Sequence, residues 1–131
     1  MGARISSACV PAGDEDRIGT PLSLNHLNLP ARDPASLSRW YVDKLGFSRD
    51  GRFLWSGGTL LVFIEGEPVD SDTVHFGFRV PTMDDLLAWV RALRDRGVQV
   101  GEIEGNDSYS TVFIRDPEGN RLEIFYQPDP V

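Results

Sequence analysis

The chain has 131 residues, of which 40% are hydrophobic and 25% are charged, and this composition is typical of one globular domain. Its formal net charge of -7 disfavours nucleic acid as a partner and weakly favours neutral or cationic small molecules. No apolar run is long enough to span a membrane, the first residues lack the basic-then-apolar layout of a secretory signal, and the single cysteine, Cys9, excludes an internal disulfide. We therefore expect a soluble, cytoplasmic protein.

The chain divides into an N-terminal extension and one domain. Residues 1–20 show no apolar period and are rich in Gly, Ala and Ser, so we expect them to be flexible. Residues 21–131 predict a single domain made of two similar halves. We call these halves module one (21–67) and module two (72–127).

Module one reads as a strand, a helix and three further strands. The apolar residues at 22–29 indicate the first strand. Asp33 is the expected N-cap of a helix, Pro34 suits its first turn, and Gly46 ends it. Three short strands are predicted after the helix, at 47–49, 52–55 and 59–65.

The same order begins again in module two. Residues 73–80 predict a strand, and Thr82 is the expected N-cap of a second helix that ends at Gly97. A strand at 98–102 and a loop at 105–107 follow. The module closes with a tight hairpin, whose strands are 109–115 and 121–127 and whose turn is Asp116-Pro117-Glu118-Gly119.

The two modules match at a constant spacing. His75 minus His26, Leu86 minus Leu37, and Trp89 minus Trp40 each give 49. A repeat of this length indicates a duplicated supersecondary unit. It also places the only two histidines of the chain at equivalent positions of equivalent strands.

These histidines and one carboxylate are candidate metal ligands. Strand alternation directs His26 and His75 to the sheet face opposite the helices, and it groups Glu123 with Arg121 and Phe125. Taken singly, a strand histidine is usually structural and a strand glutamate is often exposed. Together, two imidazoles and a mid-strand carboxylate suit Fe(II), Mn(II), Ni(II) or Zn(II), with open positions for substrate or water.

Four motifs carry a resemblance to a known family. The chain resembles the vicinal oxygen chelate superfamily, which includes glyoxalases, fosfomycin resistance proteins and extradiol dioxygenases. The motifs are Leu-Asn-His-Leu-Asn-Leu at 24–29, Trp-Tyr-Val-Asp-Lys-Leu-Gly-Phe at 40–47, Val-His-Phe-Gly-Phe at 74–78 and Asp-Pro-Glu-Gly-Asn-Arg-Leu-Glu-Ile at 116–124.

This resemblance implies an α+β fold in which two βαβββ modules form a curled mixed sheet around a cleft. It implies one divalent metal on the floor of that cleft, with His26, His75 and Glu123 at the ligand positions. Because small members often pair modules from two chains, it further implies a homodimer whose sites lie at the interface.

Two activities of the family require groups that this chain either lacks or carries at a different position. Glyoxalases carry a further carboxylate on the fourth strand of the first module, where residues 60–64 are apolar and only Glu65, at the strand end, is a candidate fourth ligand. Extradiol dioxygenases generally use an additional acid or base histidine, and the chain has only two histidines. Tyr109 is a candidate substitute, although a tyrosine that opens a strand is more often a packing residue.

The fosfomycin-modifying transferases match the overall pattern best, including Asp-Ser-Tyr-Ser at 107–110. Their lysine, tyrosine and threonine are replaced here by Ile103, Phe113 and Asn28, which disfavours a phosphonate dianion. Arg121 is the best remaining partner for an anionic substrate, although an ordinary surface pair with a glutamate explains it equally well.

Aromatic residues in both modules are candidates to line an apolar pocket. The alternative is that they form the core between sheet and helix, which is the preferred interpretation for Trp40 and Trp89. The candidate pocket residues are Asn28, Trp55, Phe63, Tyr109, Phe113, Arg121 and Phe125.

The sequence leads to one main functional hypothesis and two rivals. The main one is a metal-dependent enzyme of lyase, dioxygenase or thiol-transferase type, acting on a small substrate chelated through vicinal oxygens. The first rival is a metal-free protein of the bleomycin-resistance type that sequesters a cationic drug. The second is a purely structural dimer without a pocket.

Overall fold

The chain forms two βαβββ modules, which confirms the predicted α+β class. The computed structural model describes residues 19–106 and 108–128, so all of the predicted extension except Gly19 and Thr20 lies outside the described residues. Module one contains β1 (His26–Ala31), α1 (Pro34–Leu45), β2 (Ser48–Asp50), β3 (Phe53–Ser56) and β4 (Thr59–Glu65). Module two contains β5 (His75–Val80), α2 (Met83–Asp95), β6 (Glu104–Asn106), β7 (Tyr109–Arg115) and β8 (Arg121–Tyr126).

Each module has one four-stranded mixed sheet, and the two sheets have the same topology. The strand orders are β1-β4-β3-β2 and β5-β8-β7-β6. The first and last strands of each module pair in parallel, with His26 aligned to Leu60 and His75 aligned to Arg121. This matching register supports the duplication inferred from the 49-residue spacing.

The predicted helix starts are confirmed by capping hydrogen bonds. Ser36 N donates to Asp33 Oδ1 at 3.1 Å, and Asp85 N donates to Thr82 Oγ1 at 3.1 Å. Gly46 ends α1 in the left-handed conformation, with φ of 74°, which a glycine adopts without a Cβ clash. The hairpin turn is also confirmed, since Gly119 N donates to the Asp116 carbonyl at 2.9 Å.

Two strand predictions are wrong by more than two residues. The first strand begins at His26 and not at residue 22, because Leu22 and Leu24 remain exposed. It continues through Pro30, whose missing N–H is tolerated because β1 lies at the edge of its sheet. The predicted strand at 98–102 is a loop and β6 lies at Glu104–Asn106, since the apolar alternation there reflects burial of Val98 in the core.

The modules contact each other through residues on their helix sides. The Phe47 and Phe78 rings meet edge to face with centroids 5.7 Å apart. Tyr41 Oη donates to Asp116 Oδ2 at 2.8 Å, and burial of this phenol, next to the Asp116 charge, raises the pKa of Tyr41 well above its usual value. Asp33 N donates to Glu118 Oε2 at 2.8 Å. The hairpin turn therefore holds module two against the start of α1 in module one.

No helix in the described part of the chain is long and apolar enough to cross a membrane.

Candidate metal and ligand site

His75 and Glu123 meet on the face of the second sheet that points away from α2. Parallel pairing of β5 with β8 places them on neighbouring strands, and His75 Nε2 lies 3.3 Å from Glu123 Oε1. Two ligand atoms that each lie about 2.1 Å from one ion are separated by about 3.0 to 3.4 Å in octahedral or tetrahedral geometry. The observed separation therefore fits two adjacent ligands of one divalent ion.

The position of the Glu123 side chain is set by Gly77 and Thr111. Gly77 is the register partner of Glu123, and a Cβ at residue 77 would lie only 2.6 Å from Glu123 Cγ. Thr111 Oγ1 donates to Glu123 Oε2 at 2.6 Å. Because Oε2 is occupied in this way, Oε1 is the oxygen directed toward His75. A hydrogen bond from outside the ligand set is the usual means of orienting a metal-binding carboxylate.

We expect Gly77→Ala to displace Glu123 and to weaken binding of a divalent metal by about tenfold to a hundredfold, as loss of an orienting contact typically does. Isothermal titration calorimetry with Zn(II) and Mn(II) measures this effect. Gly58→Ala is the matched control, because no atom lies within 4 Å of a Cβ at that position. Equal metal affinities of the two variants would contradict the role assigned to Gly77.

His26 lies in module one and is not part of this pair. It is exposed on the face of the first sheet opposite α1, with Nδ1 3.2 Å from Asn25 Oδ1. The position of module one that matches Glu123 is Val62, two residues beyond the register partner of His26. Within residues 19–106 and 108–128, no group of three His, Cys, Asp or Glu side chains is arranged to hold a metal ion. The described chain thus brings together two of the three predicted ligands.

Aromatic residues and Arg121 surround the His75–Glu123 pair. The Phe113 ring contacts the His75 ring edge to face, with centroids 5.7 Å apart. The Arg121 guanidinium lies over the Phe113 ring, 4.1 Å from its centroid. Tyr109 stacks on Phe125 with centroids 5.3 Å apart. Phe113, Arg121, Tyr109 and Phe125 all occupy the strand face that carries Glu123; alternation had predicted this for Arg121 and Phe125, and the β7–β8 register adds the other two.

The remaining pocket candidates lie elsewhere. Asn28 and Trp55 are on the His26 face of module one, and both are exposed. Phe63 does not line a pocket, because it is 4% exposed and packs on the Tyr41 ring at 5.1 Å on the helix side of the sheet. Glu65 shares the alternation of Phe63, so the register of β4 directs it away from the face of His26.

Sequence reasoning missed two contributors to the site. Thr111 carried no signal beyond its place in a strand, since its role depends on the β7–β8 register. Gly77 did carry one, because a glycine inside a strand often marks a close approach of another group.

The fold defines a protein of the paired-module, glyoxalase-like class. The model of the Glyoxalase/Bleomycin resistance protein/Dioxygenase superfamily matches residues 23–124. The chain therefore belongs to this superfamily, as the four motifs had implied.

One known enzyme is similar to the chain in sequence, and solved structures share its fold. The chain is 26% identical to biphenyl-2,3-diol 1,2-dioxygenase 3 of Rhodococcus globerulus over 119 residues, which cover 77% of this chain and 61% of the dioxygenase. A glyoxalase/bleomycin resistance protein/dioxygenase from Alicyclobacillus acidocaldarius superimposes with a TM-score of 0.67 at 25% identity, covering 86% of this chain and 96% of the other. An integron cassette protein from the mobile metagenome of a Halifax Harbour sewage outfall gives a TM-score of 0.70 at 24% identity, over 79% and 97% of the two chains.

Proposed function

We propose that the protein is an enzyme that depends on a divalent metal and acts on a small substrate chelated through vicinal oxygens. The observation that carries this proposal is the 3.3 Å approach of His75 Nε2 to Glu123 Oε1, which matches two adjacent ligands of one ion. An ordinary salt bridge on a sheet does not need Gly77 and Thr111 to orient its carboxylate, and both are present here.

The third ligand is His26 of a second copy of the chain. His26 lies on an exposed sheet face, and within its own chain it does not form a metal-binding group with His75 and Glu123. In a twofold dimer, the face that carries His26 in one chain would cover the His75–Glu123 pair of the other chain. Two equivalent sites, each with two histidines and one carboxylate, would result. Members of the superfamily are often dimers, which supports this arrangement.

When bound, the ion would supply a Lewis acid that stabilises negative charge developing on the substrate. The ion would be Fe, Mn, Ni or Zn, all of which accept imidazole and carboxylate ligands. Thr111 holds Oε2 of Glu123 and so fixes the direction of Oε1. Phe113, in contact with the His75 ring, restricts the rotation of that imidazole and shields one side of it from water.

Among reaction types, a dioxygenase on an aromatic diol has the best support. The dioxygenase that is 26% identical to this chain acts, by its name, on biphenyl-2,3-diol, whose hydroxyl groups are vicinal oxygens. The chain spans 61% of that enzyme, so its activity is proposed here and not transferred. Tyr109, stacked on Phe125 on the Glu123 face, is the candidate acid or base in a chain with only two histidines.

The rival function, capture of a cationic drug by a metal-free protein, rests on the net charge of -7. The local charges of the site oppose it, because Arg121 lies beside the His75–Glu123 pair. A drug-sequestering protein also has no need of a carboxylate held toward a histidine.

Metal reconstitution separates these functions. After dialysis against Fe(II), Mn(II), Ni(II) or Zn(II), we expect about one ion per chain in the wild type, and an affinity at least about a hundredfold lower in Glu123→Gln. Glu65→Gln is the matched control and should bind like the wild type, because Glu65 lies on the opposite face at a strand end. A wild type that retains no ion by elemental analysis would overturn the proposed function.

A further inference from the structure

A cavity of about 410 Å³ in module two shares Phe113 and Arg121 with the surroundings of the His75–Glu123 pair. Phe113 belongs both to its wall and to the surroundings of His75, whose ring it contacts at 5.7 Å. A small molecule in the cavity therefore contacts Phe113, the ring that packs directly on His75. The volume falls in the range of ordinary small-molecule sites. The lining residues are Gln99, Val100, Gly101, Phe113, Ile114, Arg115 and Arg121.

The charged groups in this lining are two arginines. Arg115 and Arg121 are register partners on β7 and β8, so two like charges stand directly opposite each other. Such a pair is destabilising unless something between the charges compensates it. None of the lining residues is acidic. The cavity is therefore locally positive in a chain whose net charge is -7.

The contacts of these arginines do not neutralise them. Arg115 Nη1 donates to Ser71 Oγ at 2.8 Å and to the Gly119 carbonyl at 3.0 Å, both of which are uncharged acceptors. The Arg121 guanidinium lies over the Phe113 ring at 4.1 Å from its centroid, and among the described residues Arg121 forms no ion pair within 4.0 Å. Glu123, two residues away, is occupied by His75 and Thr111.

The contact with Phe113 prepares Arg121 to bind a planar anion. A guanidinium held over an aromatic ring loses little side-chain freedom when it binds. Its fork matches the two oxygens of a carboxylate. Phe113 and Val100 supply apolar walls beside it. These features together favour an apolar or aromatic molecule that carries a carboxylate.

We infer that this cavity binds the carboxylate of the substrate, with Arg121 as the principal anchor and Arg115 as a second cation. The inference rests on the proposed function, because only that function makes the bound molecule a substrate. It adds a specificity determinant, since a neutral analogue of equal shape leaves Arg121 without a partner. Substrates of this protein are accordingly small, largely apolar acids.

Binding of benzoate and benzamide to the metal-free protein tests the inference. The two molecules have nearly the same shape and differ in charge, and an NMR titration measures both dissociation constants. We expect benzoate to bind about tenfold more tightly than benzamide, as a charge-assisted hydrogen bond provides. Arg121→Gln should remove this preference, and Arg121→Lys should retain part of it because the charge remains without the planar fork. Arg91→Gln, at an exposed position of α2, is the matched control and should keep the full preference.

The outcomes are decisive in both directions. Absence of benzoate binding, equal affinity for benzoate and benzamide, or an unchanged preference in a folded Arg121→Gln variant would overturn the inference. Displacement of benzoate by an equal concentration of inorganic phosphate would assign the cavity to a phosphate group and would also overturn it. Because the titration uses metal-free protein, its failure is distinct from failure of the proposed function, which the metal content of the wild type measures.

Discussion

Mixing His26→Ala chains with His75→Ala chains should restore metal binding that neither variant shows alone. Each variant lacks one proposed ligand in both sites of its homodimer. If His26 serves the His75–Glu123 pair of its partner, every mixed dimer contains one intact site and one site that lacks both histidines. Random exchange makes about half of the dimers mixed, so the expected metal content is about a quarter of the wild-type value.

This complementation is measured by elemental analysis after the two variants are unfolded together, refolded together and dialysed. Each variant refolded alone is the control and should remain near zero. Metal content that stays at the level of the separate variants would contradict a site shared between chains. If each site were built from a single chain, every site in the mixture would lack one histidine. A wild-type protein that elutes as a monomer in size-exclusion chromatography would contradict it independently.

Asp116→Ala should lower the free energy of unfolding by about 3 to 5 kcal/mol, because it leaves several buried donors without an acceptor. Asp116 is 5% exposed and lies at the start of the hairpin turn. Its Oδ2 accepts from Tyr41 Oη and from Asn120 Nδ2, each at 2.8 Å. Its Oδ1 accepts from the backbone N–H groups of Glu118 and Asn120, at 2.9 and 3.0 Å. The loss affects both the turn and the contact between modules.

Urea denaturation followed by circular dichroism measures this loss. Asp43→Ala, an exposed position on α1, is the control and should change stability by less than about 0.5 kcal/mol. Tyr41→Phe should cost about 1 to 2 kcal/mol, since it removes one donor to Asp116. An Asp116→Ala variant as stable as Asp43→Ala would refute the structural role of the turn.

The Tyr41 contact also predicts the effect of alkaline pH. Its folded pKa is raised above the unfolded value of about 10, so its contribution to stability is complete below pH 10 and is lost as pH rises through the folded pKa. The stability advantage of wild type over Tyr41→Phe should therefore shrink in this range. The same urea titrations at pH 8 and above pH 10 measure the difference.

Local signals in the sequence were sufficient for both helices and for most strands, and they nominated the His75 and Glu123 side chains that the fold brings together. Asp33 and Thr82 identified the helix starts because capping involves residues only three positions apart. Strand alternation correctly grouped Arg121 with Glu123. The alternation of Val98 and Val100 wrongly predicted a strand. The segment is a loop, and Val98 is apolar because it packs in the core.

The sequence by itself determined the paired modules, the matching histidine positions and the hairpin that carries Glu123, because caps, turns and alternation act over a few residues. Only the tertiary structure decided that Phe63 lies in the core, because the register of β4 against β1 sets the faces of both strands. It also decided that His75 meets Glu123 in the same chain while His26 lies elsewhere. These facts depend on contacts between residues distant in sequence, which no local pattern encodes.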